Sequence, residues 1–445
     1  MQEIPRYFRA QFTDRFINFV RGTGEMMIHM ELEFNSRLDI DRLIKAFDLT
    51  LDAEPILGCR LVKRWWRPYW ERLDAGSRNV LAVAEDTRAY EGFKRAPIDP
   101  YIGPQIKACL LRTPDRDYLL IKVAHEVADA GGVKQIAKII SSTYSTLAHN
   151  PEYRPEPNVD GDRSIWQVLR NVPWHAYPTI LYNYYRVYML PVLFPLGSVH
   201  LPIVADDDRT LEFISRTVPE DLLKYIIEYG HQRNATLNDV LMAAFFYAIT
   251  AASDWDRKSQ LRIRITIDLR RFKPDGDGGG VCNLGGMEVV DLGTDLNDHF
   301  DYTLRRISSF MRQRKAQWIG INDYVGLAPL SIFFPHAVMT RIIVLGVQTS
   351  VNSGQAPYVF ANMGAIEQKD VTFDKPPIKA RFLPAVDYPP HVIFCFDSYN
   401  RSITISAGSW PCSKKQVERC LDEIIVVLNS LSSEKAKDIE YVTRF

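Results

Sequence analysis

Asp117-Tyr-Leu-Leu-Ile-Lys-Val-Ala124, followed directly by His125-Glu-Val-Ala-Asp129-Ala-Gly131-Gly132, is the stretch on which the reading of this chain turns. Its first part is rich enough in Leu, Ile and Val to predict a strand. The second part carries His, Asp and two Gly and predicts a loop. Beyond it, Val133, Ile136, Ile140, Tyr144 and Leu147 recur at helical spacing and mark one apolar face. A loop between strand and helix holds polar groups at the end of a rigid element. There His125 can act as a general base, because an unperturbed imidazole titrates at ~6.5. Asp129 can orient the loop or pair with an arginine. The bland alternative is a surface histidine and a helix N-cap aspartate.

Outward from this unit the chain alternates strands and helices. Ile28, Met30, Leu32 and Phe34 have strand periodicity. Asp39 predicts the N-cap of a helix to about Ala53, stopped by Pro55, with Ile56 to Val62 extended again. In the second half Pro219 opens a helix, and Thr236-Leu-Asn-Asp239 predicts a capped helix to about Ala251. Strands are expected at Leu261–Asp268, Tyr358–Asn362, Val392–Asp397 and Ile403–Ala407, and a last helix at about Ser413–Ser430. The organisation is an N-terminal unit over 1–160, an apolar connector over 161–208 and a C-terminal unit over 209–445.

The composition excludes several classes. With 46% hydrophobic and 24% charged residues, the 445-residue chain is that of a folded protein. Lys+Arg and Asp+Glu both count 54, so no excess charge draws it to a polyanion, and no nucleic-acid partner is expected. Six cysteines without a CxxC pair, and a start unlike a signal peptide, predict reduced thiols in a cytoplasmic protein. Val187 to Ala205 holds no charged residue and has the length of a span, but Pro191, Pro195 and Pro202 interrupt it. The wider aromatic, proline-interrupted segment from about Ile165 to Val204 predicts a docked connector that narrows access to the site, burying Trp166, Trp174, Tyr184 and Tyr188. A membrane surface stays open as a partner; a membrane span does not.

Other motifs carry less. Asp275 and Asp277 suggest calcium, yet the twelfth position counted from Asp275 is Gly286 instead of Glu. No GxxxxGK[ST] phosphate loop and no GxSxG elbow occurs. His125 and Asp129 lack a nominated third ligand, so no metal is expected.

With its surroundings, Ala124-His125-Glu-Val-Ala-Asp129-Ala-Gly131 resembles the HHxxxDG motif of the condensation-domain and CoA-dependent acyltransferase superfamily. The likeness extends to Gly103-Pro-Gln-Ile-Lys-Ala, Ser36-Arg-Leu-Asp-Ile-Asp-Arg-Leu-Ile-Lys-Ala-Phe, Ala235-Thr-Leu-Asn-Asp-Val-Leu-Met-Ala-Ala, Ile267-Asp-Leu-Arg270, Asn362-Met-Gly364 and Ile403-Thr-Ile-Ser406, all in family order. Two positions depart from it: Ala124 stands for the first His, and Ala130 for the Gly. The resemblance places catalysis on the second His, and Gly131 and Gly132 can take over the turn if it needs positive φ. It implies an α/β fold of two chloramphenicol-acetyltransferase-like sandwich domains forming a pseudo-dimer, with a tunnel between them. It implies acyl transfer from CoA or a carrier-protein phosphopantetheine to an alcohol or amine, with no permanently bound cofactor. His125 would be the base, Asp129 and Arg270 a structural ion pair, and Asn362 and Gly364 tunnel-lining residues. A degenerate member acting as a binding or scaffolding protein is the alternative that Ala124 and Ala130 raise.

Overall fold

Strand-forming runs gather into two principal sheets in the computed structural model, which describes residues 3–190, 197–253, 255–274, 279–297 and 299–432. In the five-stranded sheet, Asp117–Ala124 lies between Met27–Phe34 and Ile106–Arg112, antiparallel to both. Leu81–Ala84 extends it in parallel beside Ile106–Arg112. The register opposes Met27 to Ala124, and the His125 N–H still donates to Met26 O at 3.0 Å. The ladder therefore runs up to the histidine. Helices Ile40–Ala53 and Ala130–Leu147 cover this sheet with Leu43, Phe47, Val133, Ile136, Ile140 and Tyr144, all in one core. As expected, the Asp39 side chain caps the first of them by accepting from Arg42 N at 3.0 Å. Pro55–Gly58 forms a short 3-10 turn before the strand Cys59–Val62, so the extended run begins later than the sequence suggests.

The six-stranded sheet runs Gly285–Asp291, Arg262–Asp268, Tyr358–Ala365, Ile393–Tyr399, Ser402–Ser409 and Glu212–Val218. Helices Glu220–His231, Leu237–Ala252 and Lys414–Ser432 pack on it. Leu237–Ala252 is apolar on nearly all sides and correspondingly buried. Its Phe245 ring lies 4.9 Å from Phe394 and 5.6 Å from Phe360. Thr236 and Asp239 form the expected capping box.

One strand crosses between the halves. Lys379–Leu383 pairs antiparallel with Met27–Phe34, completing the first sheet from the second half of the sequence. Phe382 N also donates to Asp397 Oδ1 of the other sheet at 3.1 Å.

The connector corrects one expectation. Ile165, Val168, Leu169, Val172, Ile180, Val199 and Leu201 join the core of the six-stranded unit, so the segment is docked. The tryptophans are not what docks it: Trp166 is 61% exposed and Trp174 84% exposed, whereas Tyr184 is half-buried against Gly326. Branched aliphatic side chains fit the gaps beside the helices, leaving the indoles outside. Pro191, Pro195, Asp275 and Asp277 lie outside the described residues, as does the side chain of Tyr188. Among the described residues no helix is long and apolar enough to cross a membrane. All six cysteines are free thiols, five buried and Cys412 half-buried.

This division predicts opposite outcomes for two substitutions in the connector. Ile180→Ala, at a fully buried site, should cost ~2–5 kcal/mol in urea unfolding. Trp174→Ala should stay within ~0.5 kcal/mol of the parent.

Candidate active site where the two sheets meet

The loop after Ala124 is shaped by its own backbone and by the other half of the chain. His125 Nδ1 lies 3.1 Å from Ala128 O and 3.2 Å from Asn283 Oδ1. The Asn283 amide cannot be reversed without loss, because its Nδ2 already donates to His125 O at 2.8 Å and to Glu126 O at 2.9 Å. Two oxygen acceptors therefore face Nδ1, which assigns the ring proton there and leaves the Nε2 lone pair without a partner among the described residues. The imidazole is half-buried. The ring is held in one orientation.

Asp129 holds the loop. Its Oδ1 accepts from Gly132 N at 2.8 Å, capping Ala130–Leu147. Its Oδ2 accepts from Leu284 N at 2.7 Å and from Arg270 Nη1 at 2.9 Å. Arg270 in turn donates to Cys282 O at 3.0 Å and to Asp268 Oδ1 at 3.2 Å. The structure thus joins Asp129 and Arg270 directly, across the junction. Burial alone would raise the Asp129 carboxyl, but the Arg270 guanidinium and the two backbone N–H groups outweigh it and hold it below the ordinary carboxylate range. Burial opposes the charge of Arg270 too, and Asp129 reverses that, raising its affinity for the proton.

The two glycines serve a different need from the turn expected of them. Neither has positive φ, and Ala130 opens the helix in ordinary geometry behind the extended Asp129. What they provide is room. A Cβ on Gly131 would stand 2.4 Å from Arg270 Nη1, and one on Gly132 would stand 3.0 Å from Cys282 O. Ala130 accordingly removes nothing that the loop requires.

Asn362 and Gly364 lie elsewhere on this junction. Asn362 Nδ2 donates to Asn238 Oδ1 at 2.7 Å, and Gly364 N donates to Asn362 Oδ1 at 2.8 Å. Lys134 of the loop helix reaches the Met363 carbonyl at 2.9 Å. Asn362 thus meets the helix Leu237–Ala252, while the neighbouring Met363 carbonyl meets the loop helix.

Three participants were not foreseen from the sequence. Asn283 sets the histidine; its one signal is its place just after the glycine run. Arg163 donates to Val281 O at 2.6 Å and to Val127 O at 3.3 Å while its Nη2 meets Asp14 Oδ1 at 3.0 Å, tying the first helix to both sides of the loop. Glu126 is fully buried, with Oε1 accepting from Arg21 at 2.9 Å and Asn18 at 3.3 Å. Glu126 occupies a variable position of the motif, and Arg163 stands in no recognisable motif.

No family model matches the sequence, and no curated protein is similar to it. Solved structures are. The first condensation domain of the calcium-dependent antibiotic synthetase superposes with a TM-score of 0.70 at 12% identity over 100% of both chains. TRI3 trichothecene 15-O-acetyltransferase from Fusarium sporotrichioides gives 0.71 at 12% identity over 96% of this chain and 95% of its own. Polyketide synthase associated protein 5 from Mycobacterium tuberculosis gives 0.66 at 14% identity over 97% and 100%. The protein shares the fold of these condensation-domain and acetyltransferase structures, so the resemblance read in its sequence is shown at the level of fold. Nearly the whole chain takes part in it.

The Asp129 geometry makes stability depend on acid. A carboxyl held below its unfolded value of ~3.9 contributes stability above that pH and loses it as pH falls through the lower folded value. Asp129→Asn retains a capping side chain but removes the buried counter-charge of Arg270, leaving it the exposed Asp268 carboxylate, which should cost ~1.5–3 kcal/mol at neutral pH. Its loss of stability on acidification below about pH 4 should be shallower than the parent's, as followed by thermal unfolding across pH.

Proposed function

We propose that the protein is an acyltransferase, moving an acyl group from a thioester to a small-molecule alcohol or amine. The donor would be acyl-CoA or an acyl group on a carrier-protein phosphopantetheine. The observation that carries this reading is the His125 ring, with Nδ1 committed to Ala128 O and Asn283 Oδ1 and Nε2 without a partner among the described residues. The similar structures include a synthetase condensation domain and an O-acetyltransferase, which supports both kinds of donor and acceptor.

In this reading donor and acceptor approach His125 from opposite mouths of a tunnel between the units. The acceptor O–H or N–H gives its proton to Nε2 as oxygen or nitrogen attacks the thioester carbonyl carbon. The imidazolium that forms keeps its Nδ1–H on two oxygens, which spreads its positive charge. Collapse of the tetrahedral adduct breaks the C–S bond, and the departing thiolate recovers the proton from Nε2. The new ester or amide is left, and no covalent acyl-enzyme is needed. Asp129 and Arg270 point away from the ring and act by positioning the loop.

An acyl-CoA panel with alcohol and amine acceptors, followed by thiol release, tests the proposal. His125→Ala should lower turnover by roughly 10²- to 10⁴-fold, with donor affinity little changed. Equal turnover in variant and parent would remove His125 from the role. Donor binding by the parent without any turnover would identify a binding protein on the same fold.

A further inference from the structure

Exposed apolar side chains mean little singly, but a contiguous group of them marks a contact surface. Trp65, Trp66, Ile332, Phe333, Ile342 and Leu345 are all exposed, Phe333 at 73% and Trp65 at 68%. Backbone links bring their segments together. His336 N donates to Trp66 O at 3.0 Å, and Arg67 Nη2 reaches Ile332 O at 3.5 Å. The helix His336–Asn352 continues the face. It is rich in Ile, Val and Leu, yet only Met339 among its residues is buried.

Charge is sorted on the same face. The chain carries 54 acidic residues, but none lies within 55–70 or 324–366, the two segments that build the surface. Lys63, Arg64, Arg67 and Arg341 do. At the foot of the face Arg15 is only 5% exposed, with Nη2 donating to Ser331 Oγ at 3.2 Å and with Nε and Nη1 unpartnered. The neighbouring carboxylate, Asp14, is engaged by Arg163 and Trp70. Burial, with Arg67 and Arg9 alongside, lowers the Arg15 guanidinium to about 10. A buried cation with unused N–H groups is short of an anion.

We infer that this face docks the protein on an anionic phospholipid surface, its indole, phenyl and aliphatic groups entering the headgroup boundary while Lys63, Arg64, Arg67 and Arg341 receive lipid phosphate. Tryptophan and phenylalanine favour that depth, and a guanidinium fork matches phosphate oxygens. A second copy of the chain fits less well. A two-fold contact would set these same cations against each other with no acidic residue from either segment to pair them. The inference stands independently of the role of His125.

Co-sedimentation with vesicles tests it, using phosphatidylcholine alone against equimolar phosphatidylcholine and phosphatidylglycerol. The protein should bind the anionic vesicles and release as salt rises from about 0.1 M to about 1 M, which shortens the screening length from ~10 to ~3 Å. Trp65→Ser combined with Phe333→Ser should weaken binding roughly tenfold or more with an unchanged melting temperature, since both rings are exposed. Arg64→Gln combined with Arg341→Gln, both at exposed positions, should also weaken binding, again without loss of thermal stability. Failure of the parent to bind anionic vesicles, or equal binding by the double variant, overturns the inference. A concentration-dependent dimer abolished by the double variant, with vesicles ignored, would assign the face to a second copy instead.

Discussion

A single carboxylate sits where three stretches of chain must agree. Asp129 begins the helix that follows the loop, fixes the backbone at Leu284 and receives Arg270. Out of water, an ionised carboxyl left alone would cost several kcal/mol. Two of its three donors, Leu284 N and Arg270, come only with the assembled junction, so any arrangement that separates the units exposes that cost. The neighbouring residue is what gives this constraint chemical meaning. Holding Leu284 places Asn283 beside it, and Asn283 turns the imidazole. The anchor is thus one peptide away from the group it serves.

Around this point the junction is polar where the two units are apolar inside. Arg163 with Asp14, Arg21 with Glu126 and Arg270 with Asp129 are all paired across distant segments. Apolar contacts tolerate sliding and repacking, whereas hydrogen bonds to charged groups weaken steeply with misalignment. A junction of such pairs fixes one relative placement of the units. The crossing strand Lys379–Leu383 adds a ladder of backbone bonds to the same end.

How much of this was legible follows from the reach of each signal. Elements built by local periodicity and capping were readable: the strand Asp117–Ala124, the helix opened by Asp39, and the Thr236–Asp239 capping box all form where the residues indicate. The partnership of Asp129 with Arg270 was readable only through resemblance, since 141 residues separate the two. Lys379–Leu383 was not readable, because its pairing partner lies at the other end of the chain and five residues carry little pattern. The helix His336–Asn352 was missed for another reason. Its apolar residues have no single buried stripe to announce a period. The connector misled through size: large rings were expected inside, but docking there is by smaller branched side chains that fill narrow gaps.

The alanine in place of the first motif histidine acquires a plain explanation from the same geometry. Ala124 is the last residue of its strand, its N–H given to Gln105 O at 2.8 Å and its side chain buried with Met27 and Ile98. It faces the core beside those apolar side chains, where a histidine would need a polar partner to offset its burial. The ring that remains, His125, takes its orientation from Ala128 O within the loop and from Asn283, 158 residues away. Ala128 O alone would fix the tautomer but would leave the loop free to move with its own histidine. Asn283 prevents this, because one amide donates to the backbone of His125 and Glu126 while accepting from the ring. The orientation of the ring therefore comes in part from the second unit, and an N-terminal unit by itself would carry the motif without Asn283.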